Sequence, residues 1–225
     1  MNILTQTADG SNTLFNETIG EHYHSAHGAL QESKHVFIAA GLAHVISQKK
    51  EIKVLEVGFG TGLNFLLSYV HSEENEIQLS YTGIEAFPLA KSVIAETGYD
   101  KYVPKLIWSS FIDNYQDCLT TSINLSTNCN LHILHTTLAD VKSIGEFDLL
   151  YYDAFSVRHQ PEMWTDEMIA HACSFLKPNG VFVSYAITGD LKRAVKKCGF
   201  TIEKLPGALG KREMLRAIKN NPLCQ

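Results

Sequence analysis

The residues with the clearest chemical potential are Glu56-Val57-Gly58-Phe59-Gly60-Thr61-Gly62-Leu63-Asn64, where an apolar run breaks into glycines at alternate positions before helix-forming residues resume. Such a pattern is a buried parallel strand, a tight turn and a helix start. Glycine there lets the backbone approach a ligand, and the helix N-terminus offers it unpaired N–H groups. A dinucleotide fingerprint needs its third glycine where this chain has Leu63, so the spacing disfavours a nicotinamide site. Acids expected just beyond other strands extend the set. Glu85 can accept hydrogen bonds from both hydroxyls of a ribose. Asp140 can meet an adenine amino group. Asp153, in Tyr151-Tyr152-Asp153-Ala154-Phe155, can hold an amine and take its proton. Glu56 and Asp153 together form a buried anionic pair that a cationic ligand would compensate.

These residues need a scaffold that brings strand ends together. The pattern predicts a helix over 30–48, then strands at Lys53–Val57, Leu79–Ile84, Leu131–His135, Phe147–Tyr152 and Val181–Tyr185. Helices are expected from Leu63 to about Val70, from Pro88 to about Thr97, over Thr165–Phe175, and from an Asp190 cap to Cys198 with Gly199 as the stop. Leu176–Gly180 reads as a turn. Thr201–Leu205 and Glu213–Ile218 lack an intervening helix and should close the sheet as a hairpin. Asp9-Gly10 predicts a small hairpin within residues 1–30, and 99–130 reads as short helices with an inserted mobile loop. The whole is one α/β domain over 1–225, with a mostly parallel, seven-stranded sheet, a C-terminal antiparallel hairpin and a small N-terminal extension.

Composition narrows the function. Of 225 residues, 45% are hydrophobic and 19% charged, which favours a packed core over disorder. No apolar run approaches a membrane span and the N-terminus lacks a signal-peptide pattern, so a cytoplasmic protein is expected. The five cysteines are scattered without a Cys-x-x-Cys, and neither His22, His24 and His27 nor His132 and His135 have completing ligands; no metal is expected. The net charge of −5 is uneven. Lys192, Arg193, Lys196, Lys197, Lys204, Lys211, Arg212, Arg216 and Lys219 crowd the C-terminal segment, where Lys192 and Arg193 are candidates to meet nucleic-acid phosphates. Trp164, next to Pro161, is either a stacking platform for a base or a core residue.

The Glu-x-Gly-x-Gly-x-Gly form resembles the first motif of S-adenosylmethionine-dependent methyltransferases of the Rossmann-like class I fold. The wider chain resembles the methyltransferase unit of the MnmC/MnmD-type tRNA wobble-uridine modification enzymes. The match runs through His22-Tyr23-His24-Ser25, Gly28–Ile38 with Glu32, Glu56–Phe65, Glu85-Ala86-Phe87-Pro88-Leu89, Asp153-Ala154-Phe155 with Pro161–Thr165, and Gly199-Phe200 through Gly210–Leu215.

That resemblance implies methyl transfer from S-adenosylmethionine to the exocyclic amine of 5-aminomethyl-(2-thio)uridine in the tRNA anticodon, coupled to the enzymes that make the aminomethyl intermediate. It implies Asp153 beside the acceptor amine. Glu56, Gly58, Gly60, Gly62, Asn64, Glu85 and Asp140 would lie at the cofactor, and Glu32, Phe155, Trp164, Lys211 and Arg212 toward substrate or tRNA. The chain departs from the family in having His135-Thr136-Thr137 after strand three and Ser156-Val157-Arg158-His159-Gln160-Pro161 after the aspartate signature. The alternatives are an aminopropyltransferase or other small-amine methyltransferase, a nicotinamide-dependent oxidoreductase, and a non-catalytic RNA-binding module.

Overall fold

The computed structural model describes residues 2–47, 49–142 and 145–221. Gln48, at the expected end of the first helix, and Cys224 lie outside these. Strands β1 (Asn2–Gln6), β2 (Asn12–Asn16) and β3 (Glu21–His22) form an antiparallel sheet of their own. The expected hairpin is therefore a three-stranded unit. It turns on Gly10 at φ +82°, and Asp9 accepts hydrogen bonds from Thr7 and Ser11 across the turn.

A helical segment follows, built of α1 (Ala29–Glu32), a π-helical stretch (Ser33–Leu42) and α2 (Ala43–Ile46). Its buried face, Val36, Phe37, Ala40, Gly41 and Leu42, lies on the main sheet. A Cβ on Gly41 would come within 3.1 Å of Tyr151, so the small residue sets how closely helix and sheet approach.

The main sheet comprises β4 (Glu51–Val57), β5 (Gln78–Glu85), β6 (Ile123–Asn124), β7 (Cys129–His135), β8 (Phe147–Tyr152), β9 (Leu176–Ser184), β10 (Phe200–Pro206) and β11 (Glu213–Lys219). Their order is β10-β11-β9-β8-β4-β5-β7-β6. The pairs β8–β4, β4–β5, β5–β7 and β8–β9 are parallel, and β11 runs antiparallel to both β9 and β10, as the missing crossover helix required. The sheet has eight strands rather than seven because Ile123–Asn124 adds an antiparallel edge to β7.

Helices α3 (Leu63–Glu74), α4 (Lys91–Glu96) and α5 (Lys105–Cys118) follow in the chain, then α6 (Asp166–Ser174) and α7 (Gly189–Lys197). Alternate residues of β8 feed separate cores: Leu149 and Tyr151 pack with Phe37, Phe65 and Phe111, while Leu150 and Tyr152 pack with Ile169, Phe175 and Val195. That two-residue alternation places helices on both faces of the sheet.

The segment expected to be a mobile loop is mostly ordered helix. In α5, Ile107, Phe111, Tyr115 and Cys118 are buried at helical spacing, and Tyr115 donates to the Leu89 carbonyl at 2.9 Å. The cap of α7 is Thr188, whose hydroxyl accepts from the Leu191 N–H, and not Asp190, which pairs with Arg193 one turn on. Phe147 faces Leu176 and Leu149 faces Val181, so the expected Leu176–Gly180 turn bulges within β9, with Asn179 at φ +63°.

Candidate active site

The strand order reverses between the parallel neighbours β8 and β4, and ligands of open α/β sheets bind beyond the strand ends at such a point. A cavity of about 630 Å³ lies there. Gly58, Phe59 and Gly60 form its floor, Ile84 and Glu85 one side, Thr136–Ala139 another, and Asp153–Phe155 a third.

The glycine loop is held by main-chain bonds. The Gly58 and Phe59 N–H groups donate to the Ile84 carbonyl at 3.1 Å, and the Asp153 N–H donates to the Val57 carbonyl at 3.0 Å. Gly58 has φ +85°, and a Cβ there would fall 2.6 Å from the Asp153 carbonyl oxygen. Gly62, by contrast, starts α3 at φ +79° and faces Phe111 and Phe59, so it serves packing and does not line the cavity. Glu85 accepts from the Gly60 N–H at 2.9 Å and the Phe87 N–H at 3.0 Å, which fixes the carboxylate at the cavity edge.

Behind the floor, the Asn64 side-chain amide donates to Glu56 Oε1 and to Asp153 Oδ2, both at 2.8 Å. The Tyr81 hydroxyl donates to Glu56 Oε2 at 2.8 Å. Glu56 is 0% exposed and, like Asn64, does not line the cavity. Burial and then the charge of Asp153 hold its carboxyl well above the ordinary range. Asp153 does line the cavity. Burial, and then the charge of Glu32, push its carboxyl up to about 8 against the opposing influence of Asn64 and Lys211. Glu32 accepts from the Ser25 N–H at 2.9 Å and from Lys211 Nζ at 2.6 Å. The same ammonium sits 3.9 Å from the centre of the Tyr185 ring.

The N-terminal sheet supplies a wall that sequence reasoning did not assign to the cavity. Asn16, Thr18, Ile19, Tyr23 and His24 all line it. The Tyr23 ring meets Phe155 edge-on at 5.1 Å. His24 is buried, and its Nε2 lies 3.0 Å from Thr61 Oγ1, which lies 3.2 Å from the Tyr99 hydroxyl. Tyr99 donates to the Asn12 carbonyl at 3.1 Å, so its oxygen accepts from Thr61, and Thr61 in turn accepts from His24. That chain fixes the Nε2-protonated tautomer of His24, and burial lowers its pKa to about 4. The only advance signal was the aromatic and histidine cluster at 22–24; the contacts themselves are long-range.

The loop after Asp153 is tied to the same sheet. The Ser156 N–H donates to Glu21 Oε2 at 2.8 Å, and His159 Nδ1 donates to the Ile19 carbonyl at 2.9 Å. Trp164 is a core residue, 9% exposed, whose indole N–H donates to the Phe155 carbonyl at 2.7 Å. It offers no stacking face to the cavity, whereas Phe155 does line it.

Asp140 is exposed and accepts from the Thr137 hydroxyl at 2.6 Å; Thr137, Leu138 and Ala139 line the cavity in its place. Arg212 is exposed in the turn before β11. Lys192 and Arg193 lie apart from the cavity, in an open concavity with Lys196, Phe200, Thr201 and Lys204. Among the described residues no cluster could hold a metal ion and no helix is long and apolar enough to cross a membrane.

Residues 101–220, just over half the chain, match a family described as S-adenosyl-L-methionine-dependent methyltransferase. The chain belongs to this family.

The methyltransferase resembles, at 29% identity over 213 residues, the tRNA 5-methylaminomethyl-2-thiouridine biosynthesis bifunctional protein MnmC of Leptospira borgpetersenii; the alignment covers 88% of this chain and 32% of that protein. The MnmC of Campylobacter hominis is 29% identical over 212 residues, with 92% of this chain and 31% of that protein covered. The chain thus spans about a third of the length of these relatives. The crystal structure of MnmC2 from Aquifex aeolicus superposes with a TM-score of 0.77 at 24% identity, covering 99% of this chain and 71% of that one, a likeness of fold.

The cavity fits the family's cofactor, S-adenosylmethionine. Its Gly58–Gly60 floor has no side chain at either glycine, Glu85 stands at the rim, and Ile84, Leu138, Met163 and Met168 form an apolar flank for a base. The Asp153 carboxyl, raised toward neutrality, can ionise against a cation, and the buried Asn64 Oδ1 beside it has no hydrogen-bond partner.

Proposed function

We propose that this methyltransferase methylates the primary amine of 5-aminomethyl-2-thiouridine, or its oxygen counterpart, at the wobble position of tRNA. The observation that carries the reading is Asp153: a carboxylate at the tip of a central strand, lining the cavity and anchored through one oxygen to Asn64. The names of the relatives supply the substrate class.

When bound, S-adenosylmethionine supplies the electrophilic methyl group. The chain's own residues do the rest. Glu85 holds the ribose hydroxyls, Gly58 and Gly60 permit close approach, and the Thr137–Leu138 backbone beside Asp140 faces the adenine. Tyr23 and Phe155, packed edge to face, offer the acceptor base one shared aromatic wall. Asp153 orients the acceptor ammonium and takes a proton from it, which exposes the nitrogen lone pair. A carboxyl raised toward neutrality is a better base for an amine than an ordinary aspartate would be. Lys211 and Glu32 position Asp153 electrostatically from behind. The basic C-terminal segment, with Lys192 and Arg193 on α7, meets tRNA phosphates, and another enzyme supplies the aminomethyl group. A cytoplasmic location accords with that substrate.

The deciding experiment is transfer of radiolabelled methyl to tRNA that carries the 5-aminomethyl intermediate, with fully methylated tRNA as control. Incorporation confined to the wobble nucleoside of the intermediate is expected. Equal labelling of both tRNAs, or none, would displace this substrate.

A further inference from the structure

Glu56 has no access to the cavity, yet both its carboxyl oxygens are hydrogen-bonded beneath the cavity floor. Both donors of Asn64 are used on carboxyls, one on Glu56 and one on Asp153. The groups facing Glu56 are Tyr81 and Glu85 from β5, Asn64 from α3, and Asp153 and Tyr151 from β8 and its end. None is a cation. Those facing Asp153 are Glu56, Asn64, Tyr81, Glu21, Glu32, Lys211 and Tyr185. The single cation among them, Lys211, is engaged with Glu32. Two carboxyls joined by one neutral amide, one fully enclosed and one at the cavity wall, cannot both ionise cheaply without a cation of their own.

We propose that Glu56 and Asp153, coupled through Asn64, form one proton-exchanging unit that releases a proton to solvent when a cationic ligand enters the cavity. The O–H bond of one carboxyl breaks, its proton passes to the buffer, and the new negative charge is balanced by the ligand's positive charge. Glu56 is thus a positioning residue that acts through Asn64. The consequence is directional: the sulfonium substrate is favoured over the thioether product, whose charge has gone, and the product is let go as the unit takes its proton back. This rests on placing the cofactor in the cavity.

Isothermal titration of the enzyme with S-adenosylmethionine and with S-adenosylhomocysteine, in phosphate and in Tris at one pH, reads the protons exchanged. The sulfonium should release about one proton more than the thioether. Between pH 6 and 9, the affinity ratio of sulfonium to thioether should climb, by up to about tenfold per unit where the pair titrates. Glu56→Gln should flatten that climb, since Asp153 then has no second carboxyl to share a proton with through Asn64, while Glu32, Glu21 and Lys211 still act on it. The wild-type comparison decides the matter even if this variant folds poorly. Equal proton release for the two ligands, or a ratio flat with pH, would overturn the proposal while leaving the cofactor site in place. Failure of both ligands to bind would overturn the placement as well.

Discussion

Lys211 and Glu32 are 179 positions apart in the chain and meet at 2.6 Å, the ammonium from the turn before β11 and the carboxylate from α1. Their pairing sets the electrostatic background of Asp153, because Glu32 raises its pKa and Lys211 lowers it. Activity that needs ionised Asp153 rises with pH through that pKa. Glu32→Gln removes the raising charge and should move the acid limb of the kcat/KM profile to lower pH. Lys211→Met removes the lowering charge, leaves Glu32 unpaired, and should move the limb to higher pH. Shifts in the same direction for both variants would separate the pair from Asp153.

Asp153→Asn retains a polar group of the same shape beside Asn64. Methyl transfer should fall about 10²-fold or more, the usual contribution of a general base, while S-adenosylmethionine still binds. Stability should move the other way. A carboxyl whose folded pKa is about 8 against an ordinary 3.8 costs stability as pH rises between those values, because the unfolded chain releases its proton first. The variant should therefore melt higher than the wild type at pH 8 and show little gain at pH 4. Thermal denaturation at both values tests this, and an equal shift at both would argue against the raised carboxyl.

Gly58→Ala should be damaging for two reasons that act together. The backbone there is at φ +85°, and the new methyl would sit 2.6 Å from the Asp153 carbonyl oxygen. Strain of this kind costs about 1–3 kcal/mol, and relief would push the β8 end away from the loop. Loss of both melting temperature and cofactor affinity is expected. Gly199→Ala, where φ is +82° but no atom lies within 4 Å of the added carbon, should lower stability alone.

The open basic surface lies along α7 and the edge strand β10. Arg193 is paired with Asp190 and Lys197 with Asp166, so Lys192, Lys196 and Lys204 are the better residues to reverse. Changing these three to Glu should weaken tRNA binding and reduce the salt slope by about 2–3, close to one per lost phosphate contact. Cofactor binding should stay as it was. An unchanged salt slope would mark this face as bystander surface.

The sequence by itself determined the parallel strands of the main sheet and most of the helices between them, the antiparallel closing hairpin, and the acids Glu85 and Asp153 at the ends of β5 and β8. These are local facts: β8 is bounded by residue type as Phe147–Tyr152, and the glycines of the first loop need their backbone freedom wherever the chain goes. Tertiary structure decided what each polar group faces. Trp164 turned inward because its indole N–H found the Phe155 carbonyl, and Asp140 turned outward to Thr137. Residues 105–118 became a buried helix, legible afterwards in the spacing of Ile107, Phe111 and Tyr115 but masked by the polar run that follows. The N-terminal sheet became a cavity wall, and Glu56 turned behind the cavity floor to Asn64 and Tyr81. Periodicity encodes which face of an element is apolar. Which polar groups meet across the chain depends on hydrogen bonds satisfied between segments far apart in sequence, and no local pattern carries that.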